Sequence, residues 1–384
     1  MRSTRNPRTF ATLLSLLLLC SCATAPHRSA RVATPEFPGD VTMNKEAGRG
    51  GHLTVKLRLE SGDALPFDVD TGAPVTVLNT SLEPQLGKRL GQSSLNWWNG
   101  KEISHIYTAP KLYLGNIRLP TAAKIFTSDL TRMGSNTMGV LGMDCLQHYC
   151  IQLDFEAGKM RFLDPDHLRV SELGKAFSLT FSGIDPERTL IRPTIHHEGL
   201  IANNTNLLID TGCNIDGMAS EGEIKGTAVF LPECVWDCNT FTNLLIAAAD
   251  HYNTLGLSFL ARHLVTLDFP NRMMYLKQTR TGPLAGDILN EITLSNHRTT
   301  LEAYESLKEK NQLPGLSKND KGAVYFEANS DPGSESVMFG VQQNGDSSTC
   351  HYTVSRTSEE SPWKLQKAWR TDQNGQTIEE YPVP

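Results

Sequence analysis

Two tripeptides in this 384-residue chain could do chemistry together: Asp70-Thr71-Gly72 and Asp210-Thr211-Gly212, 140 residues apart. Each follows an apolar run, Phe67-Asp68-Val69 in one case and Leu207-Leu208-Ile209 in the other. The aspartate has to leave its strand, and the glycine permits the tight turn this requires. The threonine hydroxyl can hydrogen-bond across to a partner turn. Two carboxyls held a few ångströms apart cannot both ionise, so they share a proton. The ionised one can take a proton from a water that attacks a carbonyl carbon. The protonated one can stabilise the oxyanion and later protonate an amine leaving group. Such chemistry calls for no metal and no cofactor.

The elements that position these turns repeat. Leu141-Gly142-Met143-Asp144-Cys145-Leu146, Leu153-Asp154-Phe155 and Met160 recur, 114 residues on, as Leu255-Gly256-Leu257-Ser258-Phe259-Leu260, Leu267-Asp268-Phe269 and Met274. The first copy is 26 residues longer between its turn and its Leu-Gly. Before the first turn, Leu53, Val55, Leu57 and Leu59 alternate with polar residues, the period-two signal of a half-buried strand. Thr189 to Ile195 and Leu207 to Ile209 repeat this strand, turn, strand order before the second. After each Leu-Gly an apolar strand pair closes the copy, Ile151–Phe155 with Met160–Leu163 and Val265–Phe269 with Met273–Leu276, joined at turn residues. The copies are read as lobes over 48–165 and 187–279 with a linker at 166–186.

The C-terminal stretch 298–384 has a different pattern. Thr299-Thr300-Leu301-Glu302 reads as a capping box opening a helix. Five strands follow, with Asn344-Gly345 and Asn374-Gly375 as hairpin turns. Trp363 and Trp369 are expected in its core. One helix and a curled antiparallel sheet resemble the cystatin-like or NTF2-like α+β arrangement.

The N-terminus reads as an export signal, 1–21. Arg2, Arg5 and Arg8 precede an apolar core, Leu13 to Leu19, too short to span a bilayer. Leu19-Cys20-Ser21-Cys22 resembles a bacterial lipobox, with Cys22 as the lipidated residue and 22–47 as a tether. A lipid anchor holds a chain at a membrane without spanning it, and Ala23 favours the outer membrane. Cleavage before Cys22 would move the formal charge from −6 to −9. An acidic chain without a basic block is a poor nucleic-acid binder. Six further cysteines remain, and an exported protein can oxidise them. Cys234 and Cys238 are near enough in sequence to pair with each other or with Cys213, and the connectivity stays open. No second close Cys or His pair supports a zinc site. His196-His197-Glu198 lacks metal-ligand spacing and reads as a hairpin end. No Gly-x-Ser-x-Gly, P-loop or Rossmann fingerprint is present.

Phe67-Asp68-Val69-Asp70-Thr71-Gly72-Ala73 and Leu207-Leu208-Ile209-Asp210-Thr211-Gly212-Cys213 resemble the active-site turns of retropepsin-like aspartic proteases, and the downstream Leu-Gly strands match too. The resemblance covers 48–279. It implies a mainly β, bilobal fold of two related β-barrel lobes made by one monomeric chain, with a peptide or protein substrate between them. It implies Asp70 and Asp210 as the catalytic pair, Thr71 and Thr211 as the interlock, and Gly72 and Gly212 as turn supports. It also implies a mobile hairpin flap between Gly72 and Gly139, and Trp97-Trp98-Asn99-Gly100 is the candidate tip, with a core role for the tryptophans as the alternative. The second copy is short between Gly212 and Leu255, which leaves no flap there. Ala73 and Cys213 stand where pepsin-like enzymes carry Ser or Thr. Without that hydroxyl the carboxylates are less acidic, and the expected optimum is roughly pH 5 to 7. The function implied is an aspartic endopeptidase of the cell envelope; the alternative is a silent lipoprotein that binds peptides or envelope components on the same scaffold.

Overall fold

The computed structural model describes residues 37–383 apart from 61, 98–99, 134–135, 184–190, 198–204, 221–227, 250–252, 288–297, 321, 327–335 and 344–345. These residues are mainly β. The first half holds β1 (Val41–Thr42), β2 (Thr54–Leu59), β3 (Ala64–Val69), β4 (Val77–Asn79) and the hairpin of β5 (Arg89–Trp97) and β6 (Gly100–Thr108). Strands β7 (Leu112–Leu114), β8 (Ile117–Arg118), β9 (Lys124–Ser128) and β10 (Gly139–Leu141) lead to a one-turn helix, α1 (Met143–Leu146), and to β11 (Cys150–Asp154) and β12 (Lys159–Leu163). Alternation explains β2: Val55, Leu57 and Leu59 are buried while Lys56 is exposed.

The stretch expected as a linker instead supplies β13 (Lys175–Ser178) and β14 (Thr180–Gly183). It also buries Phe177 and Leu179, which is why it packs rather than loops. The second half continues with β15 (Ile191–His197), β16 (Thr205–Ile209), β17 (Gly217–Ser220), β18 (Ala228–Trp236), β19 (Asn239–Ala249), β20 (Thr254–Leu255), α2 (Leu257–Leu260), β21 (His263–Asp268) and β22 (Met273–Gln278). The C-terminal stretch is α3 (Arg298–Glu309), β23 (Gly322–Phe326), β24 (Ser336–Gln343), β25 (Thr349–Ser355), β26 (Lys364–Thr371) and β27 (Thr377–Tyr381).

Six strands follow one order in both halves. The first sheet runs β2-β3-β10-β4-β9-β6 and the second β15-β16-β20-β17-β19-β18. The sense of every pairing also agrees, with the same two parallel contacts, β3 to β10 and β4 to β9 against β16 to β20 and β17 to β19. A third sheet, β1-β12-β11-β21-β22-β13, joins the halves. At its centre Gln152 pairs with Thr266, its own counterpart 114 residues on, and its Nε2 donates to the Thr266 Oγ1 at 3.1 Å.

One expectation fails in the second half, that of a separate C-terminal sheet. A hairpin forms between Gly212 and Leu255, made by β18 and β19, but these strands take the sheet places of β6 and β9, so it is no counterpart of the β5–β6 hairpin. Asp237 and Cys238 turn it, with φ of 52° and 65°, as a two-residue hairpin loop demands. That register places Cys234 opposite Phe241 and Cys238 in the turn itself, and the six described cysteines are free thiols. The C-terminal strands do not make a sheet of their own. Strand β23 pairs with β18, so β23 to β27 extend the second half's sheet to twelve strands. In the first half the strand outside β6 is β5; in the second the strand outside β18 is β23. Trp363 is buried in the C-terminal core, while Trp369 is half-buried and stacks on the buried ring of His351.

A fully buried ion pair braces the second half. Arg262 donates from Nη2 to both oxygens of Asp216 at 3.0 Å, and its Nη1 and Nη2 reach the carbonyls of Thr242, Thr281 and Asn243. Asp216 also accepts from the Leu245 N–H. Removing one member of such a pair leaves a buried charge uncompensated. Arg262→Met should therefore cost about 3–5 kcal/mol in urea unfolding, and adding Asp216→Leu should recover much of it. A loss below about 1 kcal/mol, the range of an exposed pair, would show that this clamp does not hold the fold.

His263 sits between the rings of Phe241 and Phe259, and burial pushes its pKa down from 6.5 to about 4. The unfolded chain binds this proton below about pH 6.5, while the folded chain resists it until about pH 4. Stability from His263 is thus full above 6.5 and lost as the pH falls to 4, about 3 kcal/mol by linkage. Urea midpoints at pH 7 and pH 4 should differ less in His263→Leu than in the unsubstituted protein; equal differences would refute the assignment.

Candidate functional site

The two Asp-Thr-Gly turns leave β3 and β16 at corresponding points and face each other. The Asp70 N–H donates to the Leu141 carbonyl and the Asp210 N–H to the Leu255 carbonyl, both at 3.1 Å. The threonines cross over. Thr71 donates its hydroxyl to the Ile209 carbonyl at 2.6 Å, and Thr211 donates to the Val69 carbonyl at 2.7 Å. Each hydroxyl also accepts the other threonine's N–H, at 3.0 and 3.1 Å. Both threonines are about 1% exposed, so these four bonds are shielded from water.

Each carboxylate is caged by its own turn. Asp70 Oδ1 accepts from the N–H groups of Gly72 and Ala73 at 2.7 and 2.9 Å. Asp210 Oδ1 accepts from Gly212 and Cys213 at 2.8 and 3.2 Å. The glycines are required by close approach. A Cβ on Gly72 would stand 2.5 Å from the Asp210 carboxyl, and one on Gly212 would stand 2.5 Å from that of Asp70. Each carboxyl thus lies against the other turn, close enough for the charge of one to act on the other.

Burial, and then the charge of Asp210, push the Asp70 carboxyl well above the ordinary range. Burial also raises Asp210, against its backbone donors and the charge of Arg192. The pair therefore holds one proton over a wide pH span. Ala73 and Cys213 supply N–H donors, and no hydroxyl stands at either position. The Cys213 thiol is pushed up by burial and by both aspartates, so it stays neutral.

Beneath each turn lies a carboxylate brace. In the first half Asp144 Oδ1 accepts from the N–H and hydroxyl of Thr76, and that hydroxyl accepts the Gly142 N–H. In the second, Asp216 occupies the place of Thr76 and binds Arg262. Sequence reasoning missed these braces, although both carboxylates are visible a few residues from the Asp-Thr-Gly and Leu-Gly motifs. It also missed Asp68. This residue is 2% exposed, accepts from Thr54 and Thr137, and is raised by burial against the pull of His52. Of the candidate flap tip, Trp98 and Asn99 lie outside the described residues; Trp97 pairs with Gly100 where β5 meets β6. Cys22 also lies outside them.

A family model described as Aspartyl protease matches residues 55–145, from β2 through the first turn to α1. No curated protein matches the chain. The region that carries Asp70 is thus similar to aspartyl proteases, which supports an enzyme of the protease type.

Proposed function

We propose that the chain is an aspartic-type endopeptidase in which the two halves act as lobes around an extended peptide. The observation that carries this reading is the pair of carboxyls, Asp70 and Asp210, each set against the glycine of the other turn above the reciprocal threonine bonds. A water seated between them would lose a proton to the ionised member and attack the scissile carbonyl, while the protonated member stabilises the oxyanion. The hairpin β5–β6 would close over the substrate as a flap. Lipidation at Cys22 would place the enzyme in the cell envelope, on the periplasmic face or surface of the outer membrane.

The test is incubation with a peptide library from pH 3 to pH 8, with and without a pepstatin-type inhibitor, and product mapping by mass spectrometry. Inhibitor-sensitive cleavage with a maximum between about pH 5 and 7 is expected from the missing hydroxyls. A maximum near pH 3 would refute the pH argument. No cleavage at any pH would favour a silent binding scaffold.

A further inference from the structure

His52 and Arg192 occupy the same place in the two halves, each eighteen residues before its aspartate. Strand register explains why this matters. Thr54 pairs with Asp68, and the Val69 N–H bond to the Leu53 carbonyl at 2.8 Å carries the ladder further, so the next position sets His52 opposite Asp70. Thr194 pairs with Leu208, and two residues along β15 the same register sets Arg192 opposite Asp210. Residues opposite one another in an antiparallel pair share a face. Each aspartate of the dyad thus has one basic cross-strand neighbour.

The two neighbours are not equivalent. A guanidinium stays charged at every working pH, and the Arg192 Nε is buried, where salt screens it little. His52 carries an imidazole instead, and the carboxyl it pulls on is the buried one of Asp68. The other titratable groups around the dyad do not offset this difference. Cys213 is a neutral thiol beside the second turn, and the Asp216 carboxylate is matched by Arg262.

We infer that Arg192 is a positioning residue that assigns the two carboxyls their roles, holding Asp210 as the ionised base and leaving the shared proton on Asp70. This rests on the peptidase reading above. The unequal pulls on the pair agree with it, since Arg192 is among the groups that lower Asp210, while burial and the charge of Asp210 lead the causes that raise Asp70 well above its ordinary range. Water gives a proton to Asp210 as its oxygen bonds to the carbonyl carbon, and the Asp70 proton passes to the carbonyl oxygen. A neutral gem-diol results. On collapse the C–N bond breaks; Asp210, and not the initially protonated carboxyl expected from the sequence, gives the proton it took from water to the leaving nitrogen, and a gem-diol hydroxyl proton goes back to Asp70.

The test combines carboxyl NMR of 13C-aspartate-labelled protein with kcat/KM against pH, for the unsubstituted protein, Arg192→Gln, Arg192→Lys and His52→Arg. In Arg192→Gln the lower of the pair's two titrations and the acid limb of kcat/KM should move up together by about one unit, a tenfold loss of turnover on that limb. Arg192→Lys should restore most of it. His52→Arg sets a permanent cation beside Asp70 and should move the upper titration down. If Arg192→Gln fails to fold, the other two variants carry the test. Unmoved titrations in Arg192→Gln and His52→Arg overturn the assignment, whatever turnover does. Shifts as stated in a protein that cleaves nothing uphold the assignment and overturn the peptidase reading alone.

Discussion

Asp70→Asn should abolish peptide cleavage and at the same time raise the urea midpoint at pH 7. The first effect follows from the shared proton. Asn cannot pass a proton to the oxyanion and take it back, and general acid–base catalysis of this kind is worth about 10²–10⁴-fold. Asp210→Asn should be as damaging, because it removes the partner that deprotonates the water. Retention of more than about 1% of turnover in either variant would sink the dyad, since that lies at the low end of such contributions. The stability effect has the opposite sign. The folded pKa of Asp70 is raised well above its ordinary value by burial and by Asp210. Between the two values the folded chain binds more protons than the unfolded one, so this group's contribution to stability is present at low pH and is lost as the pH rises through the folded pKa. At pH 7 the folded chain has to keep this carboxyl protonated above its ordinary pKa, a cost that Asn does not carry. The variant's advantage should shrink toward pH 3, where the unsubstituted carboxyl is protonated in both states. Midpoints compared at pH 3 and pH 7 separate this linkage from a general stabilisation, which would be the same at both. The window overlaps that of His263, which loses stability on acidification, so each group is isolated only by its own variant.

Deleting residues 290–384 should destroy the second half's fold instead of freeing its active site. Strand β18 pairs with β23 through Ala228–Phe326, Val229–Tyr325 and Phe230–Val324. Ala228, Phe230 and Leu245 share one core with Tyr304, Leu307, Phe326 and Phe339 of the C-terminal stretch. Phe230 stacks on Phe326 with ring centroids 6.4 Å apart. Removing that stretch exposes two large apolar side chains, each worth about 1.5–3 kcal/mol when buried, and leaves a long unpaired edge open to aggregation. The loss is a large share of the 5–15 kcal/mol that typically holds a domain together. The truncated chain should partition into the insoluble fraction or lose its near-ultraviolet circular dichroism. A soluble truncated protein with unchanged melting and unchanged turnover would show that β23 is an ornament on the sheet.

What the residues alone determined is the chemistry and its duplication. Asp-Thr-Gly after an apolar run is a local signal, because the strand, the turn and the hydroxyl are all specified within a few residues. The repeat of Leu-Gly and Leu-Asp-Phe at one offset pairs the turns from sequence alone; period-two alternation locates β2, and apolar runs bounded by turn residues locate β3, β11, β12, β21 and β22, all to within a residue or two. Tertiary structure decided which strands became neighbours. The exposed and buried sides of β18 are legible in its sequence, but the strand that covers its edge comes from nearly a hundred residues away, and no local pattern names it. The free thiols of Cys234 and Cys238 follow from a register that only the formed hairpin sets. The basic neighbours of the dyad, His52 and Arg192, are one residue each in unremarkable strand sequence. Cross-strand pairing alone sets them opposite Asp70 and Asp210, since side chains eighteen residues apart meet only when the chain has folded back on itself.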